Sequence, residues 1–317
     1  MPSSTDCGPK GFRQRHPVLF VFGMLIVAMT LTVGVMAFFA SSEDESEPLI
    51  SLPDSDKLGV AVLEGSIDSS ERMVAFLRKL RDDSSVKGVL LRVNSGGGGF
   101  GPSQEIFFAV QALAEVKPVV ASFGSTAASG GYYSACPAKV IYALPGTITG
   151  SIGVLSRFPN LSGVSEKLGF TYNSFTSGKL KDAGSPFRPL TPEDKAYLSG
   201  LIRDLHDIFV GDVARSRQLD PKAIDALQGK AMTGLEAKNL GLVDAIGTQE
   251  DALEALRRMA GIERKHPPLI KGPKKDQRRW DEFMGMLGAS FVQGMAQGMA
   301  ETARQAASTA TTVDAAR

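Results

Sequence analysis

An uncharged apolar run near the N-terminus limits what the first part of this chain can form. Residues 18–40 are 23 consecutive residues without a charged side chain. About 20 apolar residues in a helix are enough to cross the hydrocarbon core of a bilayer. Lys10, Arg13 and Arg15 precede the run, and an acidic stretch follows it. Because positive flanks stay on the cytoplasmic side, the pattern predicts a cytoplasmic tail at 1–17, a transmembrane anchor at 18–40 and an extracytoplasmic remainder.

Two other interpretations of this run stay open. A cleaved signal peptide has an apolar core of about 7–15 residues that ends at small side chains, and Ala37 and Ala40 would suit such an end. The greater length of the run favours an uncleaved anchor. A core helix of a globular domain is the poorest fit, because the run has no polar face.

Residues 41–56 are acidic and rich in Ser and Pro, and we expect them to form a linker. Beyond this linker, short apolar runs alternate with segments whose apolar residues have helical spacing. Short apolar runs predict strands at 58–67, 87–93, 118–123 and 138–143, with a possible short strand at 150–155. Apolar residues at helical spacing predict helices at 71–82, 102–116 and 191–218, the last capped by Thr191. The glycines at 96–99 are expected to form a turn, 241–247 to form the last strand, and a helix to follow it to about residue 260. This alternation predicts a mostly parallel α/β sheet.

The last part of the chain, 263–317, differs in composition. A basic cluster at 271–279 precedes a methionine-rich helix predicted from Trp280 to about residue 307. Three interpretations remain equal: a surface helix packed on its own domain, a contact between copies, or an amphipathic helix on an anionic membrane surface.

The net charge and the cysteine content argue against two classes of ligand, nucleic acids and metal ions. A formal net charge of +1 provides no large basic field, which argues against nucleic acid as a partner. The two cysteines, Cys7 and Cys136, lie on opposite sides of the apolar run, and no Cys and His pairing has metal-site spacing. We therefore expect both thiols to be structural and no metal to be bound.

The chain has only three histidines, which restricts the choice of a general base. His16 precedes the apolar run, His266 lies beside two prolines, and His206 falls within the predicted helix at 191–218, where a structural role is expected. A Ser–His–Asp hydrolase needs a histidine beside its nucleophile, and none is well placed. A serine nucleophile would then need another base, and a lysine can serve where burial lowers its pKa.

Three segments could contribute to such a site. Ser129, in the small-residue segment 124–133, follows a predicted strand and starts a predicted helix, although small residues there could simply allow close packing. The glycines after Asn94 would expose backbone N–H groups to an oxyanion or a phosphate, and the missing Gly-Lys-Ser/Thr excludes a P-loop. Lys179 and Lys181 lie in the segment 177–186, and lysines in loops are usually only solvated.

Together these segments resemble the signal peptide peptidase A family of Ser–Lys proteases (S49, or protease IV type) in its short form, over about residues 57–262. The matching motifs, in chain order, are Asn-Ser-Gly-Gly-Gly at 94–98, Ala-Ala-Ser-Gly-Gly-Tyr-Tyr at 127–133, Gly-Ser-Ile-Gly-Val at 150–154, and Ser177, Gly178, Lys181, Asp182, Ser185, Pro186 and Arg188.

The resemblance implies catalytic roles for some of the matched positions. Ser129 would be the nucleophile, Lys181 its general base, and Ser151 the hydroxyl that orients the lysine amine. Backbone N–H groups of Gly130 and of Gly97 or Gly98 would hold the oxyanion. No cofactor is implied.

The same resemblance implies the fold and the setting. We expect a ClpP/crotonase-like fold of repeated β-β-α units, several copies in a ring or dome, and peptide substrates, chiefly cleaved signal peptides. The lipid bilayer would be a further partner, with the anchor in a bacterial-type inner membrane and the peptidase domain, 57–262, in the periplasm.

One position departs from the family pattern. Gly96 stands where the family has proline, which leads us to expect a more mobile oxyanion turn. Three other functions stay open: trimming of a particular membrane-protein partner, a crotonase-like acyl-thioester reaction that would not need Ser129 and Lys181, and a non-catalytic scaffold.

Overall fold

The computed structural model describes residues 56–273, together with Gly23, Met24 and Met29. Most of the predicted anchor at 18–40, the linker before residue 56 and the methionine-rich segment lie outside the described residues. Within the described part of the chain, no helix combines the length and the apolar character that crossing a membrane requires.

The described domain alternates strands and helices. The strands are β1 (Lys57–Ile67), β2 (Val86–Gly98), β3 (Val119–Ala128), β4 (Val140–Ala143), β5 (Ile148–Gly150), β6 (Ala231–Thr233), β7 (Ala245–Ile246) and β8 (Leu269–Gly272). The helices are α1 (Glu71–Asp82), α2 (Phe100–Ala114), α3 (Gly130–Ala135), α4 (Ser162–Lys167), α5 (Pro192–Arg217), α6 (Pro221–Asp225), α7 (Gly234–Asn239) and α8 (Gln249–Met259), with a 3-10 turn at Lys179–Asp182 before α5.

These strands belong to one mixed sheet, which confirms the predicted α/β class. Its main path runs β6-β5-β3-β2-β1-β8, and β4 lies beside β3 and β7. Among the strands of the described residues, only the β5–β6 pair is antiparallel. The other pairs are parallel, as expected where helices connect successive strands.

The sheet is buried on both faces by apolar side chains that alternate along its central strands. In β2, Val89 and Leu91 belong to the core cluster that includes residues of α1, α2, α3 and α5. Leu90, between them, packs with Val120 and with Leu256 of α8 on the opposite face. This two-sided burial explains why the strands read as continuous apolar runs in the sequence.

Two central strands are longer than predicted. β2 continues past residue 93 to Gly98, and β3 continues past residue 123 to Ala128. After a register shift, Ser95 pairs with Ala127, and Gly98 pairs with Ile67 of β1. The expected free turn at 96–99 is therefore wrong, because most of the glycine run is paired strand. A Cβ on Gly98 would overlap the backbone of Ile67, so glycine is what allows this close pairing.

The structure also corrects the order of the last strands. Within 241–247 only Ala245–Ile246 forms a strand, and β8 at Leu269–Gly272 follows it and pairs with β1. The sheet thus extends beyond the predicted domain end at 262. The short strand expected at 150–155 is instead β5, which ends at Gly150.

Candidate active site

Ser129 lies where the carboxyl ends of β3 and β5 meet. It directly follows β3, whose last residue, Ala128, pairs with Gly150 of β5. The backbone N–H of Ser129 donates a 2.9 Å hydrogen bond to the carbonyl oxygen of Gly150. The sheet therefore brings Ser129 beside Ser151, at the edge where α/β proteins usually bind ligands.

Both serines have an unusual backbone conformation. Ser129 has φ 52° and ψ −124°, and Ser151 has φ 50°. Non-glycine residues seldom adopt positive φ, and such strain persists only where the surroundings impose it. Backbone hydrogen bonds impose the conformation here. Like the N–H of Ser129, the N–H of Ser151 donates a hydrogen bond, in this case of 2.9 Å to the carbonyl oxygen of Lys230. The two hydroxyl-bearing residues are thus fixed by backbone hydrogen bonds.

The two glycines after Ser129 are required by close packing. A Cβ on Gly131 would lie 2.6 Å from the carbonyl oxygen of Ser95, and one on Gly130 would overlap the Ser103 hydroxyl. Small residues therefore allow the start of α3 to press against β2 and α2, as the packing interpretation of this segment predicts. The same packing places the serine at the cavity described below.

The two tyrosines of the motif anchor α3 from the other side. The Tyr132 hydroxyl donates a 2.8 Å hydrogen bond to the carbonyl oxygen of Leu242. The Tyr133 hydroxyl donates to the carboxylate of Asp212 on α5, and its ring lies 4.5 Å from that of Phe209, centre to centre. Burial raises the pKa of both phenols, which keeps them protonated as donors. The motif at 127–133 is thus a rigid support for Ser129.

A cavity of about 770 Å³ opens beside Ser129. Ser129, Gly130 and Ser151 line it together with Gly98 and Gly99 of the glycine run. Its apolar lining includes Phe100, Val154, Leu155, Ile202 and Phe209, and its polar lining includes Ser199, Arg203, His206, Asp225 and Gln228. The volume and the mixed lining suit a short stretch of peptide. Among the described residues, no group of three or more His, Cys, Asp or Glu is arranged to hold a metal.

The glycine run contains two alternative oxyanion donors, Gly97 and Gly98, and the structure distinguishes between them. Gly98 lines the cavity, whereas Gly97 is not among its lining residues. The N–H of Gly97 also donates a 3.1 Å hydrogen bond to the hydroxyl of Ser95, which in turn donates to the carbonyl oxygen of Gly65. Of the two candidates, Gly98 is the better placed to act with Gly130.

Several residues of the cavity wall, among them His206, were not predicted from the sequence. His206, expected to be structural, lines the same cavity as Ser129. Its Nε2 lies 3.0 Å from Oδ1 of Asp225, another residue of that wall. The only signal in the sequence was its position on the inner face of α5, which does not distinguish a cavity wall from an ordinary helix contact.

Lys181 is not brought to the cavity within one chain. It lies in the 3-10 turn Lys179–Asp182, its side chain is exposed, and it is not among the lining residues. Its turn is tied to α5 by Arg188, which binds both Asp182 and Asp194. The hydrogen bonds from Arg188 hold the pKa of Asp194 at about 2.

The segment that carries Lys181 exposes many apolar side chains. In the strap, which we define as residues 155–187, no residue is buried. Phe175 is 97% exposed, Phe170 78% and Leu168 72%. Exposed apolar surface of this extent is typical of an interface.

Comparison with known proteins adds the family. Residues 111–263 match the model of peptidase family S49. A relative from Methanocaldococcus jannaschii that is named as a protease is 38% identical over 222 residues, which cover 70% of this chain and 69% of the relative. The chain belongs to peptidase family S49. As a member of this family, the chain is a serine-type peptidase.

Two further matches have a narrower scope. An Enterococcus faecium protein that carries the name signal peptide peptidase SppA is 42% identical over 193 residues, or 59% of this chain and 55% of that protein. Among solved structures, a point mutant of ClpP1 from Listeria monocytogenes matches with a TM-score of 0.42 and 16% identity, over 61% of this chain and 94% of that one. The S49 chain thus spans just over half of the Enterococcus protein.

Proposed function

We propose that this S49 chain is a membrane-anchored endopeptidase with a Ser129–Lys181 dyad that degrades signal peptides left after secretion. The observation that carries the proposal is the conformation of Ser129, held at positive φ beside Ser151 in the lining of a peptide-sized cavity. A nucleophile at a sharp strand-to-helix turn presents its hydroxyl to a substrate while the backbone N–H groups next to it remain available for the oxyanion.

The reaction follows from these groups. The lysine amine takes the proton of the Ser129 hydroxyl as Oγ attacks the scissile carbonyl carbon. N–H groups of Gly130 and Gly98 stabilise the resulting oxyanion. The Lys181 ammonium then gives its proton to the departing amine, and an ester links Oγ to the acyl part of the peptide. Water, deprotonated by the same lysine, attacks that ester, and the lysine returns this proton to Oγ as the carboxylic acid product leaves and Ser129 is regenerated.

The dyad is proposed to form between copies of the chain. Lys181 is exposed on the strap, away from the lining of its own cavity. The exposed apolar side chains of the strap favour docking on a second copy, where Lys181 would enter the cavity of Ser129 and lose water. A ring or dome repeats this contact and leaves no strap uncovered.

The finer fold assignment belongs to the same proposal. β1, β2 and β3 each consist of two segments separated by a register shift or a change of partner strand, and each is followed by a helix. Two strand segments and a helix are the repeat unit of a ClpP/crotonase-like fold. Such folds present a nucleophile or oxyanion site at the ends of their strands.

The anchor and the cellular location rest on the sequence. The run at 18–40 would hold the chain in a bacterial-type inner membrane, with the peptidase domain in the periplasm. Peptides released within or beside a membrane are apolar, which suits the Phe100, Ile202 and Phe209 side of the cavity. The alternative substrate is a particular membrane-protein partner, which the same site would cleave.

The test is covalent labelling of the purified full chain with a fluorophosphonate, with the modified residue located by mass spectrometry. We expect labelling at Ser129, no labelling in Ser129→Ala, and strongly reduced labelling and peptide hydrolysis in Lys181→Ala. Hydrolysis should also rise toward alkaline pH, because a protonated lysine cannot accept the serine proton. Labelling at another residue, or full activity in either variant, contradicts the dyad.

His206 is the rival base, and a third variant separates the two. His206→Gln removes the imidazole base while the side chain can still hydrogen-bond to Asp225. If Lys181 is the base, this variant should keep most of the labelling rate at Ser129. Loss of labelling in His206→Gln together with full labelling in Lys181→Ala would assign the base to His206.

A further inference from the structure

We propose that Arg188 and Asp194 are positioning residues that hold the Lys181-bearing turn at a fixed place on α5. Arg188 binds the turn through two bonds: Nε donates to Oδ2 of Asp182 at 3.0 Å, and Nη2 donates to the carbonyl oxygen of Asp182 at 2.8 Å. It binds α5 through two more, from Nη1 to Oδ2 of Asp194 and from Nη2 to Oδ1 of Asp194 at 3.3 Å. One guanidinium group thus joins the residue next to Lys181 to the first turn of a long helix.

We call Arg188 with its partners Asp182 and Asp194 the clamp. The end of the clamp on α5, Asp194, is itself held in place. Only 3% of the Asp194 side chain is exposed. The Asp194 carboxylate accepts a 2.9 Å bond from the N–H of Thr191, and the Thr191 hydroxyl accepts a 3.0 Å bond from the N–H of Asp194. This capping box makes Asp194 part of the helix start. A movement of Arg188 relative to α5 would have to break a charge-assisted pair whose carboxylate is buried.

The same helix reaches the cavity. Ile202 and Phe209 of α5 line the cavity beside Ser129, and Phe209 packs on Tyr133 directly after the nucleophile turn. α5 is one uninterrupted helix from Pro192 to Arg217. The clamp therefore fixes Lys181 to the element that supports the nucleophile of its own copy, so that each copy is a rigid carrier of one serine and one lysine.

The contacts within the strap do not replace the clamp. Tyr172 stacks on Phe187 at 4.6 Å, and the N–H of Leu161 donates to the carbonyl oxygen of Pro186. These contacts join strap residues only to one another. Within the described part of the chain, the ion pairs from Arg188 to Asp182 and Asp194 are those that connect the Lys181 turn to α5.

The inference rests on the proposed role of Lys181, and its test keeps the two apart. The substitution is Arg188→Lys, which preserves the charge but cannot bridge two carboxylates with a planar fork. We expect the rate of fluorophosphonate modification of Ser129 to fall on the order of ten- to a hundredfold, as for a small misplacement of a reacting group. Arg258→Lys is the matched control, since Arg258 pairs with Glu254 on α8 and is largely exposed, and its rate should equal that of the wild type.

A double-mutant comparison distinguishes positioning from general loosening of the domain. If Arg188 acts through Lys181, Arg188→Lys should cause no further loss when added to Lys181→Ala. An equal fold-loss in both backgrounds would overturn the inference, and so would a wild-type rate in Arg188→Lys. A wild-type rate in Lys181→Ala would instead refute the proposed base. If thermal unfolding shows that Arg188→Lys does not fold, Asp182→Asn, which removes only the charge on the turn side of the clamp, is judged by the same criteria.

Discussion

The backbone of Gly97 lies directly against the backbone nitrogen of Gly130: a Cβ on Gly97 would come within 2.7 Å of that nitrogen and 3.0 Å of the Ser129 Cβ. Gly97 also has φ +100°, which L side chains rarely adopt. The glycine run and the turn at Ser129 are therefore one packed unit, and the position of Ser129 depends on the absence of a side chain in the neighbouring strand.

Substitution of the adjacent glycines Gly97 and Gly96 should have consequences of very different size. Gly97→Ala is expected to destabilise the domain by about 1–3 kcal/mol from the backbone conformation alone, and to reduce labelling of Ser129, because the new methyl group meets Gly130. Gly96→Ala meets no atom within 4 Å and should stay within about 1 kcal/mol of the wild type. Chemical denaturation and fluorophosphonate labelling measure both effects. Equal behaviour of the two variants would show that the packing of Gly97 is unimportant.

Ser151→Ala tests the second serine of the site. We expect a fall in kcat on the order of tenfold or more, since the lost hydroxyl would orient the base amine. Ser199→Ala is the control, because Ser199 lines the same cavity from α5, and it should leave kcat close to the wild-type value. A normal kcat in Ser151→Ala would leave that serine with a backbone role only.

Mixing two variants that are each expected to be inactive tests whether the proposed dyad forms between copies. Ser129→Ala retains Lys181, and Lys181→Ala retains Ser129, so mixed assemblies contain intact pairs only where the two residues come from different chains. We expect peptide hydrolysis to return when the variants are unfolded and refolded together, and not when each is refolded alone. An inactive mixture that has been shown to co-assemble would place the dyad within one chain.

Cys136 should be unreactive in the folded protein. Its side chain is fully buried, and burial raises the pKa of the thiol to about 12, so almost no thiolate forms at neutral pH. In Cys7→Ser, where Cys136 is the remaining cysteine, alkylation by iodoacetamide should require denaturant. Rapid alkylation without denaturant would contradict the packing of α3.

The Asp194 carboxylate should make part of the free energy of unfolding of the domain depend on pH in the acid range. Its pKa is about 2 in the folded chain, mainly because of Arg188, against an ordinary value of 3.8. Since the folded-state pKa is the lower one, the contribution is complete above about pH 4–5 and is lost as the pH falls toward 2. The difference in unfolding midpoint between wild type and Asp194→Asn should be constant from about pH 7 to 5 and shrink below about pH 4. A difference that persists unchanged to about pH 2 would exclude the charged pair as its source.

Much of the fold was readable in the sequence because local rules dominate there. The helix at 71–82 has the predicted ends, and Thr191 caps α5 as expected, since side-chain periodicity and capping act within a few residues. The lengths of β2 and β3 were not readable. Their second segments contain glycine and small residues, which have no strand preference and pair only because neighbouring backbones approach closely.

The sequence by itself determined the family and the candidate serine and lysine, because these depend on short motifs in a fixed order. It also determined the α/β class, because that depends on the alternation of strand and helix periodicity along the chain. Only the tertiary structure decided that His206 shares the cavity of Ser129 and that Lys181 lies outside it. It also showed that Arg188 joins the turn of Lys181 to α5. These relationships depend on where strand ends and helix faces meet in space, and residue spacing along a chain does not specify that meeting.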